Sequence, residues 1–78
     1  MKGRVLRGLE KALWTAVRSL EERSVLMRKL AEGARARGRD PVAALFEDRE
    51  RALLRDVQML RAQIARGRAL EPVTPESA

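Results

Sequence analysis

Arg37-Gly38-Arg39-Asp40-Pro41 separates two long apolar-periodic segments, and its reading decides the fold. Gly38 suits a left-handed helix end, a conformation that strains any residue carrying a Cβ. Asp40 is a good acceptor for the free N–H groups that open a helix. Pro41 fits the first helical position, where no donor is required. One helix ends and the next begins within a few residues, the signature of an αα-hairpin. The expectation is an all-α chain folded as a long antiparallel helical hairpin, with helices over about residues 4–37 and 41–66. The hairpin domain is expected over residues 1–67, with Gly67 as the second helix's cap and a flexible Pro-containing tail over 68–78.

Upstream of the turn, Leu6, Leu13, Leu20 and Met27 recur every seven residues, with Leu9, Ala16 and Leu30 three residues behind them. This is the a/d pattern of a packed helix, interrupted at Arg23. Val5, Ala12, Val17, Leu26, Ala31 and Ala34 widen the stripe, while Lys11, Arg18, Glu22 and Lys29 mark the solvated side. Downstream, Val42, Leu45, Phe46, Leu53, Val57, Leu60 and Ile64 form the second stripe, with Arg49 and Asp56 inside or beside it. So wide an apolar arc implies contact with more than one neighbouring helix.

A hairpin of 78 residues, 45% hydrophobic and 36% charged, is too small to hide both stripes within itself. The expected solution is a homodimer in which two hairpins pair into a four-helix bundle. The residues expected to carry self-association are Leu6, Leu9, Leu13, Trp14, Leu20, Met27, Leu30, Phe46, Leu53, Val57, Leu60 and Ile64. Trp14 is expected at a subunit boundary. Folding about Gly38 is expected to set Phe46 near Leu30 and Met27, Leu53 near Arg23, and Ile64 near Leu13 and Leu9.

The same composition excludes several activities. With no Cys and no His, thiolate chemistry, disulfides, the commonest metal ligand and the commonest general base are all missing. Ser19, Ser24 and Ser77 therefore have no imidazole to activate them. The acids Glu21, Glu22, Glu47, Asp48 and Glu50 lack the Glu-x-x-His element of di-metal bundles. No Gly-rich phosphate loop occurs. No enzyme, cofactor or metal centre is expected. The longest apolar run, Val42 to Phe46, is far too short to span a bilayer, and no apolar signal-peptide core follows Met1-Lys2-Gly3-Arg4. The expectation is a cytoplasmic protein without membrane contact.

The net charge is +6 at pH 7. Arg35, Arg37 and Arg39 gather at the turn, and Lys2, Arg4, Arg7, Arg61, Arg66 and Arg68 at the opposite end. Such clusters can contact phosphates, so a small basic nucleic-acid-binding regulator is the alternative function, with Arg35, Arg37 and Arg39 as its anion contacts. No aromatic platform or helix-turn-helix spacing accompanies them, and acids are interspersed throughout.

Leu13-Trp14-Thr15-Ala16-Val17-Arg18-Ser19-Leu20-Glu21-Glu22-Arg23 resembles the helical C-terminal extension of bacterial chemotaxis protein-glutamate methylesterase-like proteins, in which an LWxAxRxLEER segment opens the first helix. An LAExARxRG segment follows there, matched by Leu30 to Gly38, and an AxxFEER segment opens the second helix, matched in part by Ala43 to Arg49. The resemblance covers roughly Leu9 to Leu60; Pro41 and the Pro-containing tail depart from it. It implies a role beside a methylesterase domain without transferring that activity, whose Ser-His-Asp machinery belongs to a separate α/β domain. Together these readings lead to a non-enzymatic oligomerisation or docking hairpin, an accessory module with a signalling-protein partner in a bacterial chemotaxis-type system.

Overall fold

A computed structural model describes residues 2–70, and the side chains from Arg7 onward. Helix α1 spans Lys2–Ala36 and helix α2 spans Asp40–Leu70. They pack side by side into a rod of 62 × 15 × 14 Å. The chain reverses through Arg37, Gly38 and Arg39. Gly38 takes φ 75°, the left-handed region, and is the only described residue to have a positive φ. The Arg39 N–H donates to the Ala34 carbonyl at 2.8 Å, and the Gly38 N–H to the Arg35 carbonyl at 3.0 Å. These two bonds form a Schellman cap, which satisfies carbonyls that the helix end would otherwise leave open. The Ala43 N–H donates to the Arg39 carbonyl at 3.0 Å, so α2 opens at Asp40, one residue before the expected start.

The seam between the helices is built largely from small residues. Near the turn, Ala31, Ala34 and Ala43 are buried with Phe46 packed on them. Toward the open end, Val17, Val57 and Ile64 form a second cluster, flanked by Leu13, Trp14, Leu20 and Leu60. Between the clusters lies Ser24, also buried, whose hydroxyl donates to the Glu21 carbonyl at 2.7 Å. A buried hydroxyl satisfied by its own helix avoids the cost of an unpaired donor. Val17, Ser24 and Ala31 recur every seven residues, as do Ala43, Glu50, Val57 and Ile64. This is the periodicity of two helices that stay in register along their length.

Several sequence expectations need correction. Both helices extend further than expected at the open end: α1 starts at Lys2 rather than residue 4, and α2 continues through Gly67 to Leu70 rather than stopping near residue 66. Gly67 lacks the positive φ of a cap. Arg68 ties the last turn to α1 through two 3.0 Å hydrogen bonds from Nε and Nη2 to the Glu10 carboxylate. Residues 68–70 therefore belong to the hairpin, and residues 71–78 of the expected tail lie outside the described residues. The α1 end falls at Ala36. The seam is offset from the stripe of large residues: Leu9 and Leu30, expected to carry self-association, are 57% and 40% exposed. Phe46 packs on three alanines, Ala31, Ala34 and Ala43.

Two glycines give opposite expectations. Gly38→Ala forces a Cβ into the left-handed region and should lower stability by about 1–2 kcal/mol. At Gly33 an added Cβ would meet only the Arg37 guanidinium, at 3.6 Å. Gly33→Ala, inside α1, should raise stability by about 1 kcal/mol. Urea unfolding of the two variants at matched protein concentration checks both signs.

Candidate interaction surface

The heptad lines flanking the seam give the hairpin two unlike sides. On one side run Trp14, Glu21, Arg28 and Arg35 of α1, facing Glu47, Leu54, Arg61 and Arg68 of α2. Charge ties this side together. Arg35 Nη2 meets Glu47 Oε2 at 2.6 Å, and Arg28 Nε meets Glu50 Oε2 at 3.0 Å. Arg61 Nη2 meets Glu21 Oε2 at 2.6 Å, and Arg68 meets Glu10. Arg61 also lies over the Trp14 ring, 5.5 Å from its centroid, a cation–π contact. Within α2 the Arg51 and Asp48 side chains pair. Exposed pairs contribute about 0–1 kcal/mol each. Their consequence is geometric: inter-helix pairs spaced along the rod, from Arg35–Glu47 to Arg68–Glu10, oppose sliding of one helix past the other.

The other side holds exposed apolar residues interrupted by charged and polar ones. It carries Leu9, Ala16, Arg23 and Leu30 on α1 and Val42, Arg49, Asp56, Gln63 and Leu70 on α2, with Leu26, Leu45 and Met59 one step further out. Leu26 is 51% exposed, Leu45 65% and Met59 59%. Grooves run between the helices on this side. Leu9, Leu13, Ile64 and Leu70 help line one at the open end, and Arg23, Met27, Arg49, Ala52, Leu53 and Asp56 line another at mid-length. The expected proximity of Leu53 to Arg23, and of Ile64 to Leu13 and Leu9, is present. Arg23 and Asp56 share the middle groove, yet among the described residues neither makes an ion pair.

The sequence-derived residues thus divide. Leu13, Leu20, Val57, Leu60 and Ile64 hold the two helices of one hairpin together. Leu9, Met27, Leu30 and Leu53 lie on or beside the open face. Trp14 stands on the ion-paired side, half-buried against the Val17 cluster and apart from Leu9 and Leu30. The side chain of Leu6, with those of Lys2 and Arg4, lies outside the described set. Leu26 and Leu45, read from the sequence as parts of the two stripes, and Met59 were not among the residues expected to carry self-association, yet all three are exposed beside this face.

The turn arginines are unequal. Arg35 is engaged by Glu47 and, at 3.7 Å, by Asp40. Its pKa is raised by the hydrogen bond to Glu47 and then by that carboxylate's charge. Arg37 and Arg39 are exposed. Among the described residues no cluster of acidic side chains is placed to hold a metal ion, and no helix is long and apolar enough to cross a membrane. Comparison with known protein families, curated proteins and solved structures yields no match.

The hydrogen bond from Arg68 holds the Glu10 carboxyl below its ordinary value of 4.5; burial opposes it, and the Arg68 charge adds a smaller pull in the same direction as the bond. A lowered folded-state pKa contributes stability that is fully present above the ordinary value and is lost as pH falls through the folded one. Thermal unfolding should therefore show a fall in Tm as pH drops below about 4.5, and Glu10→Gln should remove part of that dependence while leaving neutral-pH helicity intact.

Proposed function

We propose that this chain is a non-enzymatic self-association module, in which two hairpins bury their open faces against each other as a four-helix bundle. The observation that carries the reading is the position of the large apolar side chains. The intra-hairpin seam is filled by Ala31, Ala34 and Ala43 near the turn and by Ser24, Val17, Val57 and Ile64 beyond, while Leu9, Leu26, Leu30, Leu45 and Met59 remain exposed. Soluble monomers rarely leave so continuous an apolar face uncovered. A rod face 62 Å long and 15 Å wide is of the size that a stable pair of subunits buries, on the order of 800 Å² per partner. Knobs-into-holes packing of four antiparallel-neighbour helices suits the sustained heptads.

The resemblance of Leu13 to Arg23, Leu30 to Gly38 and Ala43 to Arg49 to the helical extension of chemotaxis methylesterase-like proteins suggests the setting: an oligomerising or docking appendage of a bacterial signalling protein. The nucleic-acid alternative draws less support, because Glu47 and Asp40 already engage one of its three turn arginines.

Sedimentation equilibrium tests the assembly. The wild-type chain should sediment as a dimer at micromolar concentration. Leu30→Glu with Met59→Glu changes only exposed side chains, and should give a helical species of monomer mass. A wild-type monomer that is fully folded at these concentrations would sink the proposal. Leu20→Asp strikes the intra-hairpin cluster as well, so it should lose helicity together with mass.

A further inference from the structure

The open face has a charged centre. Arg23 of α1 and Asp56 of α2 line one groove near mid-length, with Arg49 one heptad nearer the turn. Among the described residues the inter-helix ion pairs lie on the opposite side of the rod, and these three make none. Resting on the dimer reading above, we propose that the occupant of the open face is a second copy set with its turn at the same end, so that Arg23 of each copy meets Asp56 of the other.

Geometry distinguishes the two ways in which identical faces can meet. With turns at the same end, the two-fold axis runs along the rod, and α1 of one copy lies over α2 of the other. Arg23 and Asp56 sit at nearly the same level of the hairpin, so the rotation sets each over its opposite charge, twice per dimer. With turns at opposite ends, the axis crosses the rod, and α1 lies over α1. Arg23 then meets Arg23 and Asp56 meets Asp56 near the axis, in a site that assembly removes from water. Like charges juxtaposed in a desolvated interface cost several kcal/mol, whereas paired opposite charges fix register and orientation. Arg49 lies about 10 Å along α2 from Asp56, at 1.5 Å per residue, and remains at the margin of the pair. The same logic assigns a role to the interruption at Arg23: it weakens the apolar stripe and selects one arrangement against the other, as single polar positions do in coiled coils.

The chain has no cysteine, so a single one can be introduced at the turn. Arg37→Cys, spin-labelled and measured by pulsed electron resonance in the full-length dimer, should give a separation on the order of 20–30 Å, set by helix spacings of 8–10 Å plus the labels. A separation near about 50 Å, the length of a helix of 35 residues, would overturn the orientation while leaving the dimer standing. A wild-type mass of one chain would overturn the dimer itself. In parallel, Arg23→Asp or Asp56→Arg alone should weaken dimerisation by about tenfold or more, and the double exchange should restore it. Double-exchange protein no tighter than either single variant, with helicity unchanged, would count against the cross-pairing.

Discussion

Close packing on small residues is the constraint from which the rest of the structure follows. Ala31, Ala34 and Ala43 at the turn end, Ser24 in the middle and Val17 beyond occupy the line where α1 meets α2. Side chains this small bury little apolar area, at about 25 cal/mol per Å². They let the two backbones approach, but they contribute only a thin core. Among the described residues the buried core side chains are no larger than those of Val17, Val57 and Ile64. The bulk of the leucine and methionine surface is pushed to the flank, where a single hairpin has nothing to set against it.

The two flanks then divide the work. On one, guanidinium and carboxylate groups fix the longitudinal register, from Arg35–Glu47 near the turn to Arg68–Glu10 at the open end. On the other, apolar groups run along the rod, broken by Arg23, Arg49, Asp56 and Gln63. The Schellman cap at Gly38 couples these features. A reversal of three residues sets which level of α1 meets which level of α2, and thereby brings Glu21 within reach of Arg61, forty positions away in the chain.

Much of this was legible in the residues. Gly38, Asp40 and Pro41 announce the reversal, and the seven-residue spacing on either side announces two long helices in one register. The offset of the seam from the largest apolar residues has a physical cause. Periodicity reports where apolar residues lie, and large ones dominate that signal. It does not report which part of a wide stripe faces the nearer helix. Alanines and a serine with an internally satisfied hydroxyl allow closer approach than leucines do, so the short seam goes to Ser24, Ala31 and Ala34 while Leu30 is left outside. Reading the heptad of Val17, Ser24 and Ala31 against that of Ala43, Val57 and Ile64 would have located it. The end of α2 was misjudged for a similar reason: Gly67 punctuates the sequence, but the bond between Arg68 and Glu10 depends on a partner at the far end of α1. Arg23 and Asp56 were visible as intruders in the stripes; that they share one groove required the fold.

The central claim is that the hairpin's stability is shared with a second copy, and the dependence of thermal unfolding on protein concentration tests it most directly. If folding and pairing are coupled, Tm measured by circular dichroism should rise steadily across about a hundredfold range of concentration, by mass action. A Tm that stays constant across that range, with a cooperative transition and full helicity at the lowest concentration, would show that one hairpin is sufficient and would contradict the account.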